Sequence, residues 1–225
     1  TEVLVVAGAT QPLDSLAVDR IRDFVDGGGS ALLLMEPVVL NPQTPMPLPV
    51  TSGLESVLED RGISMTDGLV VDMASSERVS MGRQGMFNVI APYPLWPIVS
   101  PAGDHITTRS LSALTLSWAG ALERTDSVHT QPLWQTTEAA ALRSPNLPIQ
   151  PDQDWDVPRD QLSVRTVAAA VDPGAAEENG GAESGAGPGR LVVVGDASFL
   201  EAQALRANPQ NVVFAVNAID WLAQD

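Results

Sequence analysis

The sequence predicts an α/β protein in which helices cover both faces of a mainly parallel central sheet, giving a three-layer sandwich. The first indication is Arg190-Leu-Val-Val-Val-Gly-Asp196, an apolar run that ends at a glycine and an aspartate. The second is the almost wholly apolar helical pattern that follows it, from Asn208 to Leu222. The third is a strand, helix and strand pattern at the start of the chain. Continuous apolar strands beside apolar helices are typical of parallel sheets buried on both faces.

The chain opens with a β-α-β unit. Residues 2–8 have the composition of a buried strand, and residues 31–35 supply the next strand. Between them a helix begins after Asp14, a suitable N-cap, and ends at Gly27-Gly-Gly29. The predicted buried face of this helix consists of apolar residues at helical spacing: Leu13, Leu16, Ala17, Ile21, Phe24 and Val25. Such a unit forms a right-handed parallel crossover.

A proline-rich segment comes next. Its prolines predict an extended loop without regular structure over residues 38–50. Ser52-Gly-Leu-Glu55 then has the pattern of a capping box, which predicts a short helix with Leu54, Val57 and Leu58 facing inward and Gly62 as its stop. Residues 68–72 are predicted as the third strand.

The middle of the chain, residues 73–160, is predicted to be irregular because its hydrophobic periodicity is weak and often interrupted by proline or glycine. The patterns allow short strands at 106–109, 113–118 and 133–137, a helical turn at 139–142 and a long loop at 144–158. Residues 161–171 read as a strand. The Gly, Ala and Glu-rich tract 173–189 predicts a flexible loop. We therefore expect one α/β domain over residues 1–225.

Composition excludes several classes of function. The chain of 225 residues has a net charge of −16, and all of its cations are arginine, so nucleic acid and anionic membrane surfaces are not expected as direct partners. It has no cysteine, which excludes disulfides, thiolate metal sites and cysteine nucleophiles. The longest apolar runs are much shorter than the ~20 residues that span a bilayer. Because the chain starts at Thr1 directly before a strand, we expect a fragment whose membrane segments lie outside it.

The candidate ligand-binding residues are Glu36, Tyr93, Asp196 and Ser198. Glu36, Asp196 and Ser198 follow predicted strands, and open α/β sheets bind ligands at the carboxyl ends of their strands. Asp and Ser at such positions also cap the next turn, and Pro37 suits a simple strand exit. Tyr93 belongs to Tyr93-Pro-Leu-Trp-Pro97, which either forms a recognition surface for a peptide or sugar or packs onto the sheet.

Other patterns predict no catalytic residue, metal site or cofactor. Gly27-Gly-Gly29 lies after a helix, whereas a dinucleotide-binding loop comes between a strand and a helix. The histidines His105 and His129 do not have the spacing of a metal-binding pair. The sequence also has no Gly-x-Ser-x-Gly elbow that could hold a nucleophilic serine.

Several segments together resemble the auxiliary domain of gliding-motility-type ABC transporters. They cover most of the chain in the family's order, and the closing strand and helix match best. The segments are Val3-Leu-Val-Val-Ala-Gly8 with Pro12-Leu13, Phe24 to Gly29, Glu36-Pro37, Leu54 to Gly62, Val70-Val-Asp72, Tyr93-Pro94, His105-Ile-Thr107, Pro132 to Thr137, Gly189 to Leu200 and Asn217 to Leu222.

This resemblance implies a flavodoxin-like or class I glutamine amidotransferase-like sheet, a fold shared with a domain of intraflagellar transport proteins. It also implies an extracytoplasmic domain at the cell membrane, on the periplasmic face, that accompanies an ABC permease and ATPase. Amidotransferases of that fold use a cysteine, which this chain lacks. The expected function is therefore non-catalytic, by protein contact or ligand holding. The alternatives are a hydrolase or a small-molecule or carbohydrate-binding domain that uses the carboxyl edge of the sheet, and a two-lobed solute-binding module.

Overall fold

The computed structural model describes residues 2–40, 46–174 and 187–224. Helices in these ranges are α1 (Ser15–Asp26), α2 (Glu55–Glu59), α3 (Ala202–Ala207) and α4 (Gln210–Leu222). The strands are β1 (Val3–Ala7), β2 (Ser30–Leu34), β3 (Val38–Leu40), β4 (Pro47–Pro49), β5 (Ile63–Asp72), β6 (Ser76–Gln84), β7 (Phe87–Pro101), β8 (Leu114–Thr115), β9 (Gly120–Arg124), β10 (Thr130–Gln135), β11 (Ala140–Arg143), β12 (Thr166–Val171) and β13 (Leu191–Val194).

The central sheet is mixed and mostly antiparallel, so the prediction of a mainly parallel, flavodoxin-like or amidotransferase-like sandwich is wrong. Within the described residues the sheet has eleven strands, and its main path runs β1-β2-β13-β12-β10-β7-β6. The pairs β1/β2 and β2/β13 are parallel. The strands that follow along this path, from β12 to β6, pair antiparallel, as do the branches formed by β9, β5 and β11.

Burial on both faces explains why the strand pattern was misleading. Val192 and Val194 of β13 face one apolar cluster with Phe214 of α4, whereas Leu191 and Val193 face the opposite cluster. Strand β12 alternates between the same two clusters, although it runs antiparallel to β13. A continuous apolar run therefore indicates that both faces of a strand are buried by other parts of the protein. It does not indicate the direction of the neighbouring strand.

The opening β-α-β unit is confirmed, with β1 and β2 parallel. Asp14 caps α1 through a 2.8 Å hydrogen bond from the backbone N of Ala17 to its Oδ1. The predicted burial was partly wrong, because β1 lies at the edge of the sheet and Leu16 is 58% exposed. The buried residues of α1 are Val18, which was not predicted to face inward, and Val25, which was.

The capping box before α2 is also confirmed, since Glu55 Oε1 accepts a hydrogen bond from the backbone N of Ser52 at 3.0 Å. The proline-rich segment before it is more regular than predicted, because β3 and β4 pair in a small antiparallel sheet. Residues 41–45 lie outside the described residues.

The region 73–160, predicted to be irregular, contains strands β6 to β11. The long hairpin of β6 and β7 was missed because Pro92, Pro94 and Pro97 read as strand breakers. In the structure Ser76 pairs with Pro97 and Arg78 pairs with Pro92, so the intervening residues of β7 bulge out of the ladder. Two smaller predictions were wrong: 139–142 is largely strand β11, and 106–109 lies in a turn.

The remaining boundaries agree in part. Strands occupy 114–115 and 130–135 near their predicted positions, and 144–158 has no helix or strand, as predicted. The strand predicted at 161–171 begins only at Thr166. Most of the predicted flexible loop 173–189 lies outside the described residues, since they omit 175–186.

Helix α4 covers the sheet with Phe214, Ala218 and Trp221. Its outward face exposes four apolar residues, Val212, Val213, Val216 and Ile219, together with Asp220. Asn217 of the same helix donates a hydrogen bond from its Nδ2 to the carbonyl of Thr107 at 3.2 Å. None of the described helices has the length and hydropathy needed to cross a membrane.

Candidate functional site

Three of the sequence-predicted residues, Glu36, Asp196 and Ser198, lie at the same edge of the sheet. Strands β2 and β13 are parallel neighbours in which Leu34 pairs with Val194, so the residues that follow both strands leave the sheet side by side. Tyr93 comes from β7 and lies elsewhere, buried in a third apolar cluster.

Asp196 is fully buried and organises the turn that follows β13. Its Oδ1 accepts hydrogen bonds from the backbone N and the Oγ of Ser198, both at 2.7 Å. Its Oδ2 accepts one from the backbone N of Ser117, also at 2.7 Å. Burial raises the pKa of Asp196 to about 6, against the opposing effect of these hydrogen bonds. The carboxylate therefore holds two distant segments together at this edge.

Gly195 makes this turn possible because the backbone passes very close to another strand. The amide of Gly120 donates to the carbonyl of Gly195 at 2.8 Å. A Cβ at position 195 would lie 2.1 Å from the carbonyl oxygen of Gly120. Only glycine can place Asp196 against the segment that leads into β9.

Glu36 lies beside this network with its carboxyl partly buried. Burial, together with the negative charges of Asp196 and Glu201, raises its pKa to about 8. Near neutral pH, Glu36 is therefore protonated while Asp196 is mostly ionised. Neighbouring carboxyl groups in opposite protonation states are common in catalytic sites, but they also occur wherever like charges crowd together.

A cleft of about 290 Å³ opens next to this edge, on the side of Ser198. One wall comes from the β6 and β7 hairpin, another from the segment before β9, and the third from α3 and the turn before it. The lining residues are Glu77, Arg78, Trp96, Thr115, Ser117, Trp118, Ser198, Glu201, Gln203, Ala204 and Ala207. The cleft thus combines two indole rings with hydroxyl, carboxyl, guanidinium and amide groups.

The two tryptophans meet at nearly a right angle, with ring centres 5.3 Å apart and an interplanar angle of 85°. Trp96 reaches this place because it belongs to the bulge of β7. Trp118 has a φ of 54°, a left-handed conformation that is costly for a bulky residue. Its backbone N donates to the carbonyl of Leu95 at 2.9 Å, and the preceding Ser117 is tied to Asp196.

Tyr93 supports the cleft from behind and does not line it. Its hydroxyl accepts a hydrogen bond from Trp118 Nε1 at 3.1 Å and donates to the carbonyl of Ile149. Burial raises the pKa of Tyr93 to about 12. The ring makes edge contacts with Trp96 and Trp155, with both pairs of ring centres 5.7 Å apart. Of the alternatives for the Tyr93 segment, packing onto the sheet is what the structure shows for Tyr93, whereas Trp96 of the same segment borders the cleft.

The sequence reasoning missed most of the cleft, including Trp118, Ser117 and Glu201. Nothing in the local sequence marks them, because they come together only through the bulge of β7 and the bond between Ser117 and Asp196. The two histidines line a different cleft of about 300 Å³, together with Arg124 and Asp172. Burial lowers the pKa of His105. The described residues contain no group of three or more side chains suited to hold a metal ion.

Comparisons with known proteins bear on the family and the fold. A family model described as ABC_transp_aux, an ABC-type uncharacterized transport system, matches residues 1–221. Among solved structures, the mmIFT52 N-terminal domain is similar with a TM-score of 0.60 and 16% identity, covering 100% of this chain and 78% of that chain. At this identity the likeness shows the fold alone, and it agrees with the expectation of a fold shared with a domain of intraflagellar transport proteins.

Two β-galactosidases give weaker likenesses that carry no argument. The enzyme from the Antarctic haloarchaeon Halorubrum lacusprofundi has a TM-score of 0.40 and 14% identity, covering 96% of this chain and 22% of that chain. The enzyme from Bacillus circulans sp. alkalophilus has a TM-score of 0.40 and 13% identity, covering 92% of this chain and 22% of that chain. The search of curated proteins gave no match.

Proposed function

The chain belongs to the family described as an ABC-type uncharacterized transport system, and on this premise we propose that it is a non-catalytic domain that holds a small ligand for the transporter. The family gives it a transport-associated accessory role. The observation that carries the ligand-holding part is the cleft floored by Trp96 and Trp118 at the carboxyl edge of β13.

The polar groups near the cleft are engaged in structure, which supports binding without catalysis. Asp196 is fully buried, both of its oxygens accept hydrogen bonds, and it does not line the cleft, so its carboxylate does not reach a ligand there. Ser198 Oγ donates a hydrogen bond to Asp196, and both histidines line the other cleft. Ser198 thus has no histidine in its own cleft to accept its proton, as a serine nucleophile commonly requires.

The lining of the cleft favours a small polar ligand with an apolar face, such as a saccharide. Indole rings bury the apolar faces of such molecules, while hydroxyl, carboxyl and amide groups fix their orientation. Ser117, Ser198 and Gln203 supply these groups here. Hydrogen bonds hold the backbone of Ser117 and Trp118 in the cleft wall, and a site that is ordered before binding loses less affinity to the cost of ordering.

Membership of an ABC transport family supports a proposal about partners and location. We propose that the domain lies on the extracytoplasmic, periplasmic face of the cell membrane, beside the permease and ATPase subunits of the same system. A ligand held there would lie near the transport path. Localisation of a tagged full-length protein by protease accessibility in whole cells checks this placement.

Thermal unfolding in the presence of a panel of monosaccharides, disaccharides and amino acids tests ligand holding. We expect at least one compound to raise the melting temperature of the wild-type protein, and Trp118→Ala to abolish the shift. Trp155→Ala is the matched control, since Trp155 packs on the far side of Tyr93 and does not line the cleft. Equal shifts for both variants would place the ligand elsewhere.

A hydrolase remains the second candidate because of one observation, the raised pKa of Glu36. A carboxyl group that stays protonated to about pH 8 has the property that a general acid needs. Incubation with chromogenic glycosides at pH 5 to 8 decides between the two functions. The binding proposal expects no turnover, whereas turnover that Glu36→Gln abolishes would establish the hydrolase.

A further inference from the structure

The β6 and β7 hairpin projects from the body of the sheet as an arm. The inner part of β7 pairs with β8 and β10, at Val99 and Ser100 for example. The outer part, from Ser80 to Ile90, pairs only with itself among the described residues. We define the arm as residues 80–90.

The end of the arm exposes large apolar side chains. Met86 is 94% exposed, Phe87 is 77% exposed and Ile90 is 51% exposed. Met86 sits in the turn directly after Gly85, at a position where a small polar residue or glycine is the usual choice, and Phe87 begins β7 next to it. Exposed apolar groups gathered on a projecting element are typical of contact sites.

The charges of the arm and of the whole chain indicate which kind of partner surface the arm could contact. Arg83 is exposed beside the turn, and none of the ion pairs among the described residues involves it. The whole chain carries a net charge of −16. The arm therefore presents an apolar and positive tip on an acidic protein, which complements an apolar pocket with carboxylates at its rim.

The same charge disfavours two other occupants. An anionic bilayer would repel the acidic body, and the arm has too few cations to overcome this repulsion. Addition of a strand to the free edge of β6 is hindered by the irregular register between Ser80 and Arg83 and by Gly82, whose φ is 95°. The side chains of the tip, and not its backbone, are thus the contact groups.

We propose that the arm docks into an acidic-rimmed apolar pocket on the extracytoplasmic surface of the permease subunit of the transport system. The inference rests on the proposed function for the identity of the partner. The arm also connects this contact to the cleft, because Glu77, Arg78 and Trp96 at its base line the cleft. A partner that holds the arm would thereby hold one wall of the ligand site.

Biolayer interferometry with the full chain and the purified permease–ATPase complex in lipid nanodiscs tests the proposal. We expect the double variant Met86→Ser and Phe87→Ser to weaken binding by roughly tenfold or more, as for anchors at the centre of an interface. Arg83→Glu should weaken it by about fivefold and reduce its dependence on salt. Empty nanodiscs of the same lipid should bind none of these proteins.

The exposed stripe of α4 provides the matched control. Val212→Ser with Val216→Ser removes two exposed apolar side chains of 43% and 50% exposure from a surface away from the arm, and the nearby Asp220 on the same side of α4 is acidic like the rest of the protein. This variant should bind within about twofold of wild type. Thermal unfolding of every variant checks that the fold is intact.

The outcomes separate the two proposals. If wild type binds the complex and the arm variant binds equally well, the arm inference is wrong while the permease remains the partner. Equal losses for the arm and α4 variants, or binding to empty nanodiscs, also overturn it. If wild type does not bind the complex, the partner assignment fails together with the arm.

Discussion

Two buried aspartates, Asp72 and Asp196, follow different strands of the sheet and play the same structural part. Asp72 ends β5, and its Oδ1 accepts hydrogen bonds from the backbone N of Ala74 and Ser75, both at 3.0 Å. Asp72 also accepts two hydrogen bonds from Thr137. Its Oδ2 accepts one from the backbone N of Thr137 at 2.8 Å, and its Oδ1 accepts one from Thr137 Oγ1 at 2.7 Å. Asp196 ends β13 and likewise binds its own turn and one distant segment, at Ser117.

The surroundings of the two aspartates differ. Asp72 is enclosed by the loop it ties down, whereas Asp196 lies beside Glu36 and behind Ser117 and Ser198, which line the cleft. A buried aspartate after a strand is therefore evidence of architecture first. Only the side chains gathered around it distinguish a candidate ligand site from a structural turn.

The largest effect should come from removing either carboxylate. Asp72→Ala and Asp196→Ala each leave buried amides without an acceptor, and we expect each to lower the free energy of unfolding by about 3 to 5 kcal/mol. Urea unfolding at pH 7 measures both. A loss below ~1 kcal/mol for one variant and not the other would break the structural equivalence of the two sites.

The next largest effect concerns how the free energy of unfolding depends on pH, which should distinguish the Asp196 site because Glu36 lies beside it. Glu36 has a folded-state pKa of about 8, raised from 4.5, so the folded protein keeps a proton that the unfolded chain loses. Stability should therefore fall as the pH rises from 4.5 to 8. Glu36→Gln cannot ionise and should be more stable than wild type at pH 8, on the order of 2 to 4 kcal/mol.

Urea unfolding of wild type and Glu36→Gln at pH 5, 6.5 and 8 checks this sign. Glu55→Gln would not serve as a control because Glu55 caps α2. Glu138→Gln is suitable, since Glu138 is exposed. Parallel pH curves for wild type and Glu36→Gln would contradict the raised pKa.

A smaller effect should follow from Tyr93→Phe, which tests how the cleft is supported. The change removes the acceptor of Trp118 Nε1 and the donor to the carbonyl of Ile149. We expect a loss of about 1 to 3 kcal/mol in unfolding free energy and a weaker ligand-induced thermal shift. Loss of stability with an unchanged thermal shift would show that Trp118 holds its position without Tyr93.

The smallest effects compare the hydroxyl donors of the two aspartates. Ser198→Ala removes one hydrogen bond to Asp196 but keeps the one from its backbone N, so the expected cost is about 1 kcal/mol. Thr137→Val should cost more, because Thr137 Oγ1 also accepts the backbone N of Ala139 at 3.1 Å. Urea unfolding measures the loss of unfolding free energy for both variants. A larger loss for Ser198→Ala than for Thr137→Val would show that the hydroxyl bond to Asp196 stabilises its turn more than the one to Asp72 does.

Local signals predicted well wherever the structure depends on neighbouring residues. The N-cap at Asp14 and the capping box at Ser52 and Glu55 were readable because their donors and acceptors lie within a few residues. The apolar runs of β2 and β13 also predicted correctly that these strands are buried on both faces. The same signals placed Glu36, Asp196 and Ser198 at the ends of strands.

The cleft could not be predicted in this way, because its parts meet through distant contacts. The bulge of β7 tolerates prolines that read as strand breakers, and it carries Trp96 to the cleft. Trp118 adopts a left-handed backbone between its bond to Leu95 and the tie of Ser117 to Asp196. Neither arrangement has a local sequence signature, since the strain is stabilised by residues far away in the chain.

The sequence by itself determined that β2 and β13 are buried on both faces, where α1 and α2 begin, and that the chain belongs to an auxiliary family of ABC transport systems. Only the tertiary structure decided the direction of the strands and the composition of the cleft. The physical reason is that burial and capping depend on the side chain and its near neighbours, so they leave a periodic or spaced pattern. Strand direction depends on the connections between strands, and the apolar pattern of β12, which runs antiparallel to β13, does not encode it.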